Sequence, residues 1–195
     1  MEDLDKLYHV VNSVSKFTDE AWQDFSSLYR KDIIKKGTYF VEEGSKPRNV
    51  AFILDGCIRA FYCTPDGTEY NKTFFVENMF AVSLAAVIQR SESYLSFQAL
   101  TDSNVLIMDF FEFAALFDKH RCIETFYRIV LELEWVLKKE QREIRLAMYD
   151  AEERYKFFRE EYPGLENTIP QYHIASHLGI TPIQLSRIRA KMTSR

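Results

Sequence analysis

Six side chains near the C-terminus have the types and spacing to read a polar groove: Thr181, Ile183, Gln184, Arg187, Arg189 and Lys191. Arg187 can offer two parallel donors to a guanine edge, Gln184 can pair with an adenine, and Ile183 can touch a thymine methyl. Thr181, Arg189 and Lys191 suit phosphate oxygens, which fix register but carry no sequence information. Tyr172 and His173, slightly upstream, are expected either to join the phosphate contacts or to stand in solvent. The expected partner is double-stranded DNA.

Such side chains need two short helices and a tight turn to present them. Ile174 and Leu178 fall on one helical face, with the small Ala175 where a second helix can cross closely. Gly179 supplies the positive-φ residue that ends the first helix. Ile180 plugs the turn, Thr181 can cap the next helix, and Pro182 sits at its first position, where a missing N–H costs nothing. Leu185 and Ile188 then return to the core. This is the pattern of a helix-turn-helix. An ordinary αα-hairpin shares the glycine and the apolar face, but gives no reason to leave Gln184, Arg187, Arg189 and Lys191 outside with no acid in the segment.

The charge distribution agrees. The 195 residues include 25 basic and 29 acidic side chains, a net charge of -4, yet no Asp or Glu occurs after Ile169, where Arg187, Arg189, Lys191 and Arg195 lie. A basic tail follows an acidic body, the footprint of a nucleic-acid-binding module joined to something else. With 47% hydrophobic and 15% aromatic residues and only 6 Gly and 5 Pro, the chain can bury a substantial core, which excludes disordered and collagen-like classes. It has no apolar run long enough for a membrane span and an acidic rather than signal-like N-terminus, so a soluble, cytoplasmic protein with no membrane partner is expected. The three cysteines, Cys57, Cys63 and Cys122, lack C-x-x-C spacing and read as reduced, buried small hydrophobes.

The body divides by periodicity. Leu4 to Tyr29 reads as short helices, with Thr18 or Asp19 as a cap. From Lys35 to Asp109 short runs rich in β-branched and aromatic residues alternate with turns at Glu43-Gly44, Asp55-Gly56, Pro65-Asp66-Gly67 and Asp102-Ser103-Asn104. Strands are expected at 38–41, 50–54, 57–64, 68–76, 94–100 and 105–109, forming an antiparallel barrel or sandwich. Past Phe110, Ile123, Phe126, Val130, Leu133, Leu137, Glu140, Ile144 and Ala147 recur at spacings of three and four. That spacing predicts one long helix that rests on its own β domain and pairs with a symmetry mate, with Phe126, Val130, Leu133, Leu137 and Ile144 on the dimer side.

Taken together, these features resemble the Crp/Fnr family of bacterial transcription regulators. The resemblance spans nearly the whole chain: N-terminal helices, a glycine-punctuated β-roll from Lys36-Gly37 to Asp66-Gly67, a long dimerisation helix and a C-terminal helix-turn-helix. It implies an α+β fold with a double-stranded β-roll of the cupin-like, cyclic-nucleotide-binding-like kind over 1–118, a dimerisation helix over 119–149 and a DNA-binding domain over 150–195. It further implies a homodimer reading half-sites about 34 Å apart. Two departures stand out. Where cyclic-nucleotide-binding relatives carry Phe-Gly-Glu and then Arg-Ser or Arg-Ala, this chain has Phe80-Ala81-Val82 and Ser93, so no tight binding of cyclic AMP or cyclic GMP is expected, because a buried phosphate lacks its cation. Arg90 lies just upstream. An effector pocket is expected around Tyr70, Phe80, Val82, Ser83, Ser93 and Tyr94, its ligand unknown and no cofactor or metal identified. The second departure is the little sequence that follows Ile188, which predicts a reduced or absent wing and steeply salt-sensitive binding.

Catalysis is not expected. A metal-dependent enzyme of the cupin type needs several histidines converging from adjacent strands, and His9, His120, His173 and His177 all lie outside the β region. The rival reading is a non-catalytic sensor whose C-terminal helices bind a protein such as RNA polymerase or a partner regulator.

Overall fold

Residues Val50 to Leu54 are all buried, so the strand that carries them, β3 (Asn49–Asp55), must be covered on both faces. The computed structural model describes residues 2–193 and shows the two coverings. Arg195, counted above with the basic tail, lies outside the described residues. One antiparallel sheet runs in the order β1 (Arg30–Ile34), β8 (Ser103–Asp109), β3 and β6 (Phe80–Ala81). The other runs β2 (Tyr39–Val41), β7 (Ser96–Ala99), β4 (Ile58–Cys63) and β5 (Glu69–Phe75). Ala51, Ile53, Ile58, Phe97, Val105 and Ile107 fill the interior of the roll.

The alternate residues of β3 and β8, among them Val50, Phe52, Leu106 and Met108, face outward into a helical layer. It is built from α1 (Glu2–Val14), α2 (Asp19–Ser27), α3 (Leu84–Gln89), α4 (Phe110–Ala115) and α5 (Arg121–Val130). Thr18 caps α2, its hydroxyl accepting from the Ala21 N–H. Phe25 is fully buried at the centre of this layer and meets the rings of Phe17, Tyr29, Phe113 and Phe126 at 5.2–6.2 Å. Edge-to-face packing of this kind adds to simple burial.

Two strands lie outside the expected set. Strand β1 is an edge strand whose Arg30, Lys31 and Ile33 are exposed, so it lacks the apolar alternation that marks a strand. Strand β6 is two residues long. The cysteines also need correction: Cys57 is buried, but Cys63 is exposed and Cys122 half-buried. Cys63 ends β4 beside the Thr64–Thr68 hairpin turn, where the strand leaves the sheet.

The expected single long helix is interrupted. After α5 the chain winds as a π-helix from Leu131 to Leu137 before resuming as α6 (Lys138–Met148). The wider turn rotates the apolar stripe and breaks the coiled-coil repeat, so Leu131 and Trp135 rest against the chain's own core while Leu133 and Leu137 are 45% and 48% exposed. Phe126, expected on the dimer side, is instead a core residue of its own protomer at 4% exposure, and Val130 packs on the same core.

Helices α7 (Ala151–Glu161), α8 (Gln171–Leu178) and α9 (Pro182–Thr193) complete the chain. Asp150 and Glu153 form a reciprocal capping box at the start of α7. Tyr155, Phe158, Ile174, Leu178 and Leu185 form one core with Phe74, Cys57 and Leu100 of the roll. The terminal helices therefore dock on the second sheet. The contact is also polar: the Ser176 hydroxyl accepts from the Asn71 N–H at 3.0 Å and donates to the Glu69 carbonyl at 2.8 Å.

Candidate nucleic-acid interface and effector cavity

The turn between α8 and α9 forms as the local sequence dictates. Gly179 adopts φ 67° and ends α8, with Ile180 N–H donating to the Ala175 carbonyl at 3.0 Å. The Thr181 hydroxyl accepts from the Gln184 N–H at 3.2 Å, and the Gln184 side chain accepts in return from the Thr181 N–H at 2.9 Å. This second capping box starts α9. It also engages the Gln184 side-chain oxygen, which sequence alone assigns to base contacts.

Leu185 is fully buried, and the opposite side of α9 carries exposed Ile183, at 66%, with exposed Arg187. The other two cations have partners that the sequence pattern does not reveal. Lys191 pairs with Glu152 of α7 at 2.6 Å, and this contact lowers the Glu152 carboxyl below the ordinary range. The half-buried Arg189 donates to the Glu166 carbonyl at 3.4 Å. The segment contains no acid, but its neighbour α7 supplies one. Tyr172 is 56% exposed, whereas His173 is buried rather than solvated.

His173 sits where α8 meets the roll. Arg59, buried at 4%, donates to Glu69 at 2.5 Å, to Asn71 at 3.2 Å and to Gln98, and lies 3.1 Å from Nδ1 of His173. A guanidinium only donates, so Nδ1 must be the acceptor and the imidazole is neutral. Burial first, and then the Arg59 charge, push its pKa down to about 4. His177 is the opposite tautomer, its Nδ1 donating to the Asn71 carbonyl at 3.2 Å. Burial and then the Arg142 charge push it down to about 3.

A cavity of about 650 Å³ lies between the roll, α5, the π-helical segment and α6. Phe80, Val82 and Ser83, three of the expected pocket residues, line it. Ser93 is buried behind Ser83: the Ser93 hydroxyl donates to the Leu95 carbonyl at 2.7 Å, so Ser83 donates to Ser93 at 2.8 Å. Tyr70 and Tyr94 are not part of the wall. Tyr94 is 82% exposed, and the Tyr70 hydroxyl accepts from Arg142 at 2.9 Å. Arg90 is exposed and stacks over Phe111 at 5.0 Å, so it places no cation at Ser83.

The cations lining this cavity are Lys72 on β5, Lys138, Lys139, Arg142 and Arg145 on α6, and Arg154 on α7. The sequence pattern does not single them out as a group, although Trp135, Lys139 and Arg142 follow the spacing of one helical face.

Comparison with known proteins agrees with this architecture. Residues 32–120 match the cyclic nucleotide-binding domain family. FixK2 from Bradyrhizobium japonicum superposes with a TM-score of 0.73 at 14% identity, covering 85% of each chain. A Crp/Fnr-family transcriptional regulator from Eubacterium rectale gives 0.69 at 15% identity, covering 91% of this chain and 84% of the other. The c-di-GMP-responsive regulator CLP from Xanthomonas campestris gives 0.62 at 14% identity, covering 88% and 90%. No curated protein matches by sequence.

Proposed function

For a chain with the Crp/Fnr fold and a cyclic nucleotide-binding domain over residues 32–120, we propose the function of a sequence-specific transcription regulator that binds double-stranded DNA as a homodimer. The observation that carries this reading is helix α9, which buries Leu185 completely while leaving Ile183 and Arg187 on an open face behind a capped turn. An αα-hairpin built only for packing has no use for that face. Arg187 and Ile183 read bases, while Thr181, Arg189 and Lys191 supply phosphate contacts, the last two after releasing their contacts to Glu166 and Glu152.

Dimerisation falls to the apolar face left open along the π-helical segment and α6. Leu133, Val136, Leu137, Ile144 and Met148 are 45–78% exposed there, apolar side chains whose covering favours a second copy. In this reading residues 1–118 sense, 119–149 dimerise and 150–195 bind DNA. Cyclic AMP and cyclic GMP are not bound tightly, because the Ser83–Ser93 wall has spent its hydroxyls on each other and on Leu95. The protein is non-catalytic.

A mobility-shift assay across genomic fragments tests the proposal. Sequence-selective shifts, weakened by Arg187→Ala, support it. No shift at low salt overturns it in favour of a sensor whose terminal helices bind a protein such as RNA polymerase. Leu137→Glu with Ile144→Glu is expected to yield a monomer in sedimentation and to abolish the shift.

A further inference from the structure

We infer that the 650 Å³ cavity takes an amphipathic carboxylate, its apolar body among Phe80, Val82 and Phe126 and its head between Lys72, Lys139 and Arg142. This deepens the effector-domain reading above and rests on it only in treating an occupied cavity as a signal.

The wall decides the body. Carbon-rich side chains from the roll and from α5 dominate the lining, and the Ser83 hydroxyl donates to Ser93 rather than into the space. A ligand with many hydroxyls or a buried phosphate therefore finds few partners on that side.

The mouth decides the head. Lys72 is half-buried, 5.5 Å from the Trp135 ring centre, and forms no salt bridge among the described residues. Burial, and then the charges of Arg142 and Lys139, lower its pKa. Among the described residues Arg142 is likewise without a carboxylate and donates to the Tyr70 hydroxyl and the Asn71 carbonyl. Of the nearby acids, Glu134 is taken by Lys138 at 2.6 Å and Glu161 by Arg145 at 3.2 Å, and Glu143 reaches the exposed Lys139 at 3.8 Å, which leaves Lys72 and Arg142 without one. Like charges held together at the mouth of an apolar space repel one another until an anion joins them. The anion end thus lies against the helix that the proposal makes the dimer element, and not against the Ser83 wall.

Calorimetry on the full chain tests this with decanoate and 4-phenylbutyrate, against decanol and 4-phenylbutanol. The expected result is binding of at least one carboxylate, with the matching alcohol about tenfold weaker. The two acids distinguish an alkyl from an aryl ligand. Lys72→Gln and the exposed Lys139→Gln should each lower carboxylate affinity several-fold while leaving the thermal transition cooperative. Equal binding of acid and alcohol, no binding of either acid at millimolar concentration, or unchanged affinity in both variants overturns the inference. The calorimetry contains no DNA, so its failure is separable from failure of the mobility shift.

Discussion

The guanidinium of Arg59 on β4 lies 3.1 Å from Nδ1 of His173 on α8, both residues buried, and so ties the β-roll to the first helix of the helix-turn-helix. Arg59 also serves Glu69, Asn71 and Gln98. Arg59→Ala removes a donor that the buried Asn71 and His173 share with the more open Glu69 and Gln98. It is expected to cost about 2–3 kcal/mol in urea unfolding, tempered because Glu69 is 40% exposed and regains water. Arg59→Lys recovers little of this, since one ammonium cannot span four partners.

Acidification should loosen the same junction. His173, near Arg59 and Glu69, and His177, near Arg142, are neutral in the fold with pKa values pushed down to about 4 and about 3 from the ordinary 6.5. As pH falls below 6.5 the unfolded chain takes up protons that the folded chain refuses. Stability is therefore lost progressively from pH 6.5 down to about 4, by up to about 1.4 kcal/mol per pH unit for each histidine. Denaturant midpoints measured across this range should fall less steeply in His173→Asn. An unchanged slope in that variant would remove His173 from the linkage.

The exposed Arg187 and the paired Lys191 should behave differently on DNA. Arg187→Ala is expected to cost about 1–3 kcal/mol of affinity and to relax specificity at one base pair. Lys191 must first leave Glu152, so Lys191→Ala should weaken binding to all sequences by a smaller factor and flatten the salt dependence. Binding titrations at several salt concentrations on cognate and scrambled duplexes separate the two.

Gly56, in the turn between β3 and β4, has φ +105°, and a Cβ there would lie 2.5 Å from the Ser103 Oγ and 2.8 Å from the Asp102 carbonyl oxygen. Gly56→Ala combines backbone strain with a backbone clash. A loss of about 3 kcal/mol or more is expected by chemical denaturation.

Local chemistry was legible in the sequence wherever one residue type suffices. Gly179, Thr181 and Pro182 placed the α8–α9 turn, and Asp55-Gly56 placed the β3–β4 turn. What depended on a neighbour was not legible. Glu152 reaches Lys191 from 39 residues away, and Arg59 meets His173 from 114 away. Phe126 keeps the heptad spacing yet packs inward, because the π-helical turn that redirects the stripe leaves no mark in residue period. Strand β1 is charged because its outer side meets solvent, which hides it from any search for alternation.

Strand β5 pairs with β4 on one side only, and its other side is met by α8 through Ser176 and His177. An uncovered strand edge is a template for intermolecular pairing. Helix α8, on which the proposed DNA-reading helix α9 rests, thus also guards the sheet against self-association, so variants that weaken its seat should show aggregation as well as weaker shifts in the mobility assay.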